Sequence, residues 1–430
     1  MIEVLNTILQ IIVPLLVLGV LIMVHELGHF SVAKFFKIKV LEFWIFMGPK
    51  ILKWKRKETE YSLRMIPIGG MVRMEGEETS SKDEGSFNQK HPAKRAAVIA
   101  AGPVTNILFA LIIVIIVTAF SGFFVNAVKL QGTDSPAYAA GIRDGDKLLS
   151  VKGVDVYEPA IDYGLFTYVK SYEPVPIVVQ RPGFEKPLQF SVIPKARYLL
   201  GIQFGQTTTG KSAIEAVTQD TPASKAGVKK GDVIASINDI SMSTNKQASE
   251  YVQANQDKQM KLVVLRDGKE VSFTIAPAKT PDMNLGIGFQ KAQGNPIEVV
   301  GASVNYCISV MRSNFYTIGW LFTGQVSFTE LSGPVGMVRT MGDVMTYSPS
   351  FWDNLYALML TGAFISLCLG VFNLLPFPAL DGSKILLLVI EIFTKKKLKP
   401  EKEAIISFIG LGLLLSLMAV VTVMDIMKFF

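Results

Sequence analysis

The chain has only three histidines, and two of them fall within one five-residue string, His25-Glu26-Leu27-Gly28-His29. On a helix, residues i and i+4 share a face about one turn apart. Two imidazoles so placed can bind one zinc ion, and the glutamate between them can serve as a base toward water. The string continues an apolar run, roughly Leu5–Val24. A carboxylate and two imidazoles are costly to keep there and mark function. Catalytic zinc commonly takes three protein ligands and leaves one position open. The third histidine, His91 in Asn-Gln-Lys-His-Pro, reads as an exposed bystander, so the remaining ligand has to be a carboxylate. Asp381 is the only acidic residue between Asp353 and Glu391. It closes Asn373-Leu-Leu-Pro376-Phe-Pro378-Ala-Leu-Asp381-Gly382 at the mouth of another apolar run. Pro376 and Pro378 break the helix where the backbone must bend toward a metal.

These residues need elements that carry them to one place. Hydrophobic residues make up 50% of the 430 and charged residues 18%, against about 25% charged in soluble domains. Mean hydropathy is +0.37. Intrinsic disorder, a collagen-like repeat and a disulfide-stapled scaffold are excluded, the last because there are two cysteines. A membrane span needs about 20 apolar residues, and four stretches qualify: about Leu5–Val24, Ala96–Phe120, Leu355–Leu375 and Ala404–Val423. The first has no basic leader and no small-residue cleavage site, so it reads as a span and not as a cleaved signal. Between Lys34 and Arg95 there are 14 Lys/Arg against 8 Asp/Glu. Lys384, Lys395, Lys396, Lys397, Lys399 and Lys402 crowd the connection after Asp381. Both connections are expected in the cytoplasm, which puts both termini and the long middle segment outside. Spans 1 and 3 then run the same way and deliver His25, His29 and Asp381 to one leaflet. Val299–Phe322 carries Arg312 near its centre and is expected to be an interfacial amphipathic helix. Cys307 is expected to face outward or lie at the interface.

The polar middle repeats. Asp134-Ser-Pro-Ala-Tyr-Ala-Ala-Gly-Ile-Arg-Asp-Gly-Asp-Lys-Leu-Leu-Ser-Val returns as Asp220-Thr-Pro-Ala-Ser-Lys-Ala-Gly-Val-Lys-Lys-Gly-Asp-Val-Ile-Ala-Ser-Ile, with eight of 18 positions identical. Each copy is later followed by Leu-Gly-Ile-x-Phe, at Leu200–Phe204 and Leu285–Phe289. Short helices capped by Ser135 or Thr221 and ended by Gly141 or Gly227 lead into strands. The residues resemble PDZ domains of the bacterial protease type, which add a peptide to an open sheet edge; two β-rich spacer domains that bind nothing are the alternative. The expected fold is a polytopic α-helical membrane protein of four spans with two inserted extracytoplasmic PDZ-like α+β domains. Residues 1–125 form the first membrane half, with a cytoplasmic membrane-associated β-hairpin at 40–75. Residues 126–205 and 206–290 are the two inserted domains, 291–350 an interfacial amphipathic segment and 351–430 the second membrane half.

Four motifs then resemble the site-2 protease family, and within it the regulator-of-sigma-E protease branch. They are His25–His29, Gly102-Pro103 with Asn106, Ser332-Gly-Pro334-Val-Gly336, and Asn373 with Asp381-Gly382. The stretch Tyr61–Glu75 resembles the family's membrane-associated hairpin. The family often has a second glycine after Asp-Gly, where this chain has Ser383-Lys384. The resemblance implies zinc on His25, His29 and Asp381, Glu26 as general base, and a substrate contact at Asn373. The alternation in Tyr61–Arg73 reads as an edge strand, so Tyr61, Leu63, Met65, Gly69 and Gly70 are candidate substrate contacts. The expected activity is cleavage of transmembrane segments of single-span proteins in a bacterial cytoplasmic membrane, with an anti-sigma factor or remnant signal peptides as clients. The paired outer domains either bind peptide or exclude bulky ectodomains, and no nucleic-acid partner is expected. A non-catalytic membrane scaffold or quality-control binder is the competing class; a metal transporter fits poorly, because no polar path continues through the outer halves of the spans.

Overall fold

A computed structural model describes residues 2–77, 81–168, 171–206, 212–327, 332–346, 348–395 and 400–427. Lys396, Lys397 and Lys399, used above for orientation, lie outside the described residues. In chain order the helices are α1 (Ile2–Phe35), α2 (Pro92–Ser121), α3 (Pro136–Ala139), α4 (Pro159–Tyr168), α5 (Pro222–Ala226) and α6 (Asn245–Ala254). They continue with α7 (Pro296–Phe322), α8 (Pro334–Val344), α9 (Phe351–Leu374), α10 (Asp381–Thr394) and α11 (Pro400–Met427). Two compact units emerge. One comprises Met1–Val125, Tyr157–Asp162 and Lys291–Phe430; the other comprises Asn126–Val156 and Tyr163–Gln290.

Among the described residues of the first unit, α1, α2, α9 and α11 are long and apolar enough to cross a bilayer. This is an integral membrane protein. The central helix is α2, which packs against α1, α7, α9 and α10. Its buried stripe is Val98, Gly102, Asn106, Ala110 and Val114, spaced four apart. Small side chains at that period let neighbouring backbones approach closely. His91, the histidine set aside as a bystander, is the N-cap of α2, its Nδ1 accepting the N–H of Ala93 at 3.2 Å. At the far end of the same helix the chain leaves through Gly122, whose N–H donates to Thr118 O.

The segment read as interfacial is the continuous helix α7, opened by a capping box at Asn295 and Glu298. Its buried face is set by protein and not by a bilayer surface. Cys307 and Val310 share one apolar cluster with Ala110 and Val114 of α2 and Ala363 and Leu367 of α9. Cys307, expected at an interface, is 4% exposed. Arg312, the residue that argued for a surface position, ion-pairs with Asp162 at 2.7 Å. Ser309 Oγ donates to the other oxygen of that fully buried carboxylate, at 2.8 Å, as do the N–H groups of Tyr157 and Glu158. Both cysteines are free thiols.

The hairpin region is more folded than an alternating strand pair. Its two long strands, Val40–Arg56 and Thr59–Met74, double back where Phe46, Gly48 and Gly69 take positive φ. Glu42–Ile45 therefore pairs on one side with Glu60–Leu63 and on the other with Gly70–Arg73, while Leu52–Arg56 flanks Thr59–Leu63 from outside. Tyr61–Leu63, expected at an edge, lies inside the sheet. Tyr61 stacks on Trp54 with ring centroids 5.5 Å apart and meets Phe30 and Phe43 edge-on. The strand end that faces α1 is Gly70–Met74.

The second unit holds two sheets of one design. One has strand order Ile287–Ala292, Phe123–Leu130, Lys147–Val151, Val175–Gln180, Leu188–Val192. The other runs Lys269–Ile275, Met260–Arg266, Val233–Ile237, Ser212–Val217, Ile202–Gln206. The expected boundary at 205/206 thus cuts a strand. Each copy of the repeat also takes the other Leu-Gly-Ile-x-Phe string from the one that follows it. Ala137 N–H donates to Leu285 O in the first copy and Ala223 N–H to Leu200 O in the second, both at 2.9 Å. The second sheet is therefore inserted in the first. The repeated Gly-Asp pair has a buried purpose: Asp146 binds Arg181 through two charge-assisted hydrogen bonds, and Asp232 binds Arg266 likewise, both carboxylates 1% exposed. Burial pushes both carboxyls up, but the guanidinium and a backbone N–H outweigh it and hold them below the ordinary carboxylate value.

Candidate metal centre

α1 is an uninterrupted helix through His29, so the i, i+4 spacing does place both imidazoles on one face. Asp381 arrives from the other half of the chain. α9 stops at Leu374, six residues turn back on themselves, and Asp381 opens α10. Ala379 takes φ +77 in that turn. Gly382 is pressed against the end of α9: a Cβ on it would lie 2.2 Å from Leu375 O and 2.3 Å from Leu374 O, so only glycine permits this approach. Ser383 and Lys384, the departure from the family pattern, brace the turn. Ser383 Oγ donates to Leu380 O at 2.8 Å, and Lys384 pairs with Glu77 at 3.1 Å. The buried pair Arg95–Glu391, at 2.5 Å, ties α10 to α2.

The three side chains meet. Asp381 Oδ2 lies 3.1 Å from His25 Nε2 and 3.5 Å from His29 Nε2, and the two Nε2 atoms are 3.1 Å apart. Donors about 2.0–2.1 Å from a tetrahedral zinc ion sit roughly 3.3 Å from one another, so this triangle has the size the ion needs. Among the described residues Asp381 Oδ2 is buried and receives no hydrogen bond, an arrangement a cation would complete. Space for one is kept by Gly102, where a Cβ would come within 2.4 Å of His29 Nε2 and 2.8 Å of His25 Nε2. Two neutral imidazoles and a carboxylate are a donor set suited to zinc.

Glu26 projects beside this cluster, and its Oε2 accepts the N–H of Val72 at 3.1 Å. A Cβ on Gly70 would touch Glu26 Cγ at 3.2 Å. Of the proposed substrate contacts, Gly70 is thus at the site, and Gly69 supplies the bend before it, against Met47. Tyr61 and Leu63 are on the interior strand, and Met65 is 61% exposed at the turn beyond. Asn373 is half-buried in the last turn of α9. The sequence reading missed Gly102 and Val72 as site residues. Val72 carried no signal, since a backbone N–H does the work; Gly102 stood in a noted motif, four residues before the only carboxamide of that span.

Peptidase family M50 matches residues 13–417. The chain is 31% identical over 464 residues to a protein named zinc metalloprotease RasP from Geobacillus kaustophilus, covering all of both chains. It is 27% identical to the regulator of sigma-W protease RasP of Bacillus subtilis, over 99% of each. Among solved structures it is similar to an HtrA3 PDZ domain, with 18% identity over 20% of this chain and 88% of that one; the TM-score of 0.18 is too low to establish a fold. A full-length match and a zinc-sized triangle of donors agree: the chain belongs to peptidase family M50, the site-2 proteases, and is a zinc-dependent metalloendopeptidase.

Proposed function

We propose that this protease cuts the transmembrane segments of single-span membrane proteins, with His25, His29 and Asp381 holding zinc and Glu26 acting as general base. The observation that carries the reading is the convergence of the three donors at the end of an apolar helix, with a strand edge alongside. Bound zinc supplies Lewis acidity toward a carbonyl oxygen and toward water. Glu26 takes the proton from water and passes it to the leaving amine; the Val72 N–H holds its carboxylate in place for both transfers.

A helical substrate hides its carbonyls in its own hydrogen bonds, so it must be extended before attack. The Gly70–Met74 edge is suited to this. N–H groups on alternate residues of an edge strand point outward, and Val72 shows that direction to be toward Glu26. Strand addition there satisfies the unwound backbone away from water. Both basic connections support a cytoplasmic-leaflet site in a bacterial cell membrane, with termini and middle segment outside.

The two sheets fit the PDZ plan in strand addition beside a helix, yet they differ in one respect. The slot of the first is filled from within: Tyr163 of α4 accepts the Leu285 N–H at 3.3 Å and sets its ring edge-on to Phe289. The corresponding position on α6 is Ser249. We read the pair as a filter against bulky ectodomains, with peptide binding confined to the second. Clients of the sigma-factor-regulating kind follow from the Bacillus subtilis relative's name. The deciding experiment is Glu26→Gln assayed on a single-span substrate. Cleavage is expected to vanish with zinc content unchanged, and residual cleavage at the wild-type rate overturns the assignment. Removing residues 127–290 is expected to admit uncut ectodomains; their continued rejection refutes the filter.

A further inference from the structure

The helix that touches both imidazoles supplies none of the three donors. His29 Nδ1 lies 2.9 Å from the backbone oxygen of Val98 on α2. A carbonyl only accepts, so Nδ1 is the protonated nitrogen, and in the neutral ring Nε2 keeps its lone pair toward Asp381. Two turns further along α2, Asn106 stands against the other ring: its carboxamide is 3.3 Å from His25 Nδ1. Asn106 is completely buried, and its own backbone oxygen accepts from Ser366 Oγ of α9 at 2.9 Å. It therefore sits on a fixed piece of backbone between two spans.

In the arrangement drawn, the amide nitrogen faces His25, and Asn106 Oδ1 is left buried without a donor. Oxygen and nitrogen of a carboxamide exchange places by a half turn about one bond, and heavy-atom positions do not distinguish them. A His25 that binds a metal through Nε2 must carry its proton on Nδ1, and the atom facing it must then accept. Turning the amide over supplies that acceptor and gives Oδ1 its missing donor. Both rings then have the same tautomer, one fixed by a backbone carbonyl and the other by a side-chain one.

We infer that Asn106 is the positioning residue of the metal centre, setting the tautomer and ring plane of His25. The inference rests on the zinc-protease reading above. Partners of this kind beyond the ligands are worth roughly 10–100-fold in metal affinity. An ionised aspartate at 106 can only accept, so it separates the two amide orientations: it serves a protonated Nδ1 as well as the turned-over amide does, and fails where a donor is needed.

The test measures zinc affinity of the purified full-length protein by chelator competition, with cobalt absorption as a second readout of donor geometry. Asn106→Leu is expected to weaken zinc roughly 10–100-fold and to alter the cobalt spectrum, while Asn106→Asp keeps both near wild type. Asn106→Leu with wild-type affinity, or Asn106→Asp falling as far as Asn106→Leu, overturns the inference. His25→Ala separates this from failure of the parent reading. If His25→Ala leaves zinc binding untouched, the metal centre itself is misassigned; if it abolishes binding while Asn106→Leu does nothing, only the positioning role is lost.

Discussion

Replacing Gly102 by alanine places one methyl group at the centre of the proposed chemistry. The new Cβ would lie 2.4 Å from His29 Nε2 and 2.8 Å from His25 Nε2, against an ordinary carbon–nitrogen contact of about 3.4 Å. Relief requires the His29 ring to retreat by about 1 Å. It cannot do so cheaply, because its Nδ1–H is already spent on Val98 O at 2.9 Å. A retreat of that size breaks the bond or pulls Nε2 out of the donor triangle. Misplacement by about 1 Å costs on the order of 100-fold in rate, and loss of ligand geometry costs metal as well. The fold is expected to survive, since alanine is favoured over glycine within a helix by about 1 kcal/mol. The assay is zinc per protein after dialysis, run beside thermal unfolding and cleavage of a single-span substrate in the same detergent. Gly301→Ala is the control: it is also helical, and its Cβ would meet nothing within 4 Å. We expect Gly102→Ala to fold, lose most of its zinc and cleave at least 100-fold more slowly. A Gly102→Ala protein with full zinc and full activity refutes the reasoning, because the space it fills would then not be the metal's.

Three further outcomes follow. Glu158 is 8% exposed; burial, and secondarily the carboxylate of Asp162, raise its carboxyl to about 7 despite the Ile161 N–H. The folded state thus holds the proton more tightly than the unfolded one, so stability falls as pH rises from about 4.5 to about 7, by about 3 kcal/mol at most. Protection factors in α7, whose Ser309 receives the Glu158 N–H, should fall over that window in wild type once the intrinsic pH dependence of exchange is divided out, and stay flat in Glu158→Gln; equal pH dependence of the corrected values in both rejects the assignment. Asp425, 2% exposed, accepts N–H groups of Gly333 at 2.8 Å and Gly336 at 2.9 Å. Asp425→Ala should therefore cost about 1–3 kcal/mol through those orphaned donors, read as a lower unfolding temperature; an unchanged one shows the N–H groups find other partners. Finally, if the second sheet domain alone takes a peptide C-terminus as proposed, Tyr163→Ser should raise the stoichiometry measured by calorimetry from one to two, and no change rejects the plug.

The convergence of the three candidate donors was readable in the sequence because their geometry needs little tertiary knowledge. His25 and His29 are related by helical period alone, and Asp381 by the parity of spans, which is a count of apolar runs. The candidate strand was misplaced for a specific reason. Alternation in Tyr61–Arg73 reports a strand but not its neighbours. Whether Tyr61 or Gly70 is at the edge depends on two reversals, at Phe46–Gly48 and Gly69, and Phe46 adopts φ +69 against its own preference. A similar limit applies to α7. Arg312 argued for a surface helix because an unpaired guanidinium is costly in an apolar setting, and its partner Asp162 lies 150 residues away in a segment that reads as part of another domain.

The repeat shows where pattern matching runs out in principle. Two similar sequences, identical at eight of 18 positions, and two identical Leu-Gly-Ile strings allow two pairings. What separates them is chain geometry. Taking the string that precedes it lets the second copy close its sheet with an uninterrupted segment, Ile202–Ile275, while the first must reach across to Ile287. In chain order the last strand of the first sheet, Ile287–Ala292, thus follows every strand of the second. At both ends of the insertion, the carbonyl oxygens of Leu200 and Leu285 accept N–H groups from the two short repeat helices, those of Ala223 and Ala137. The Leu285 N–H donates to Tyr163 of α4 in the first copy, a contact the serine at the matching position of the second copy is too short to repeat. The copy that carries a serine there has its whole sheet within one stretch of chain, free of that shared segment.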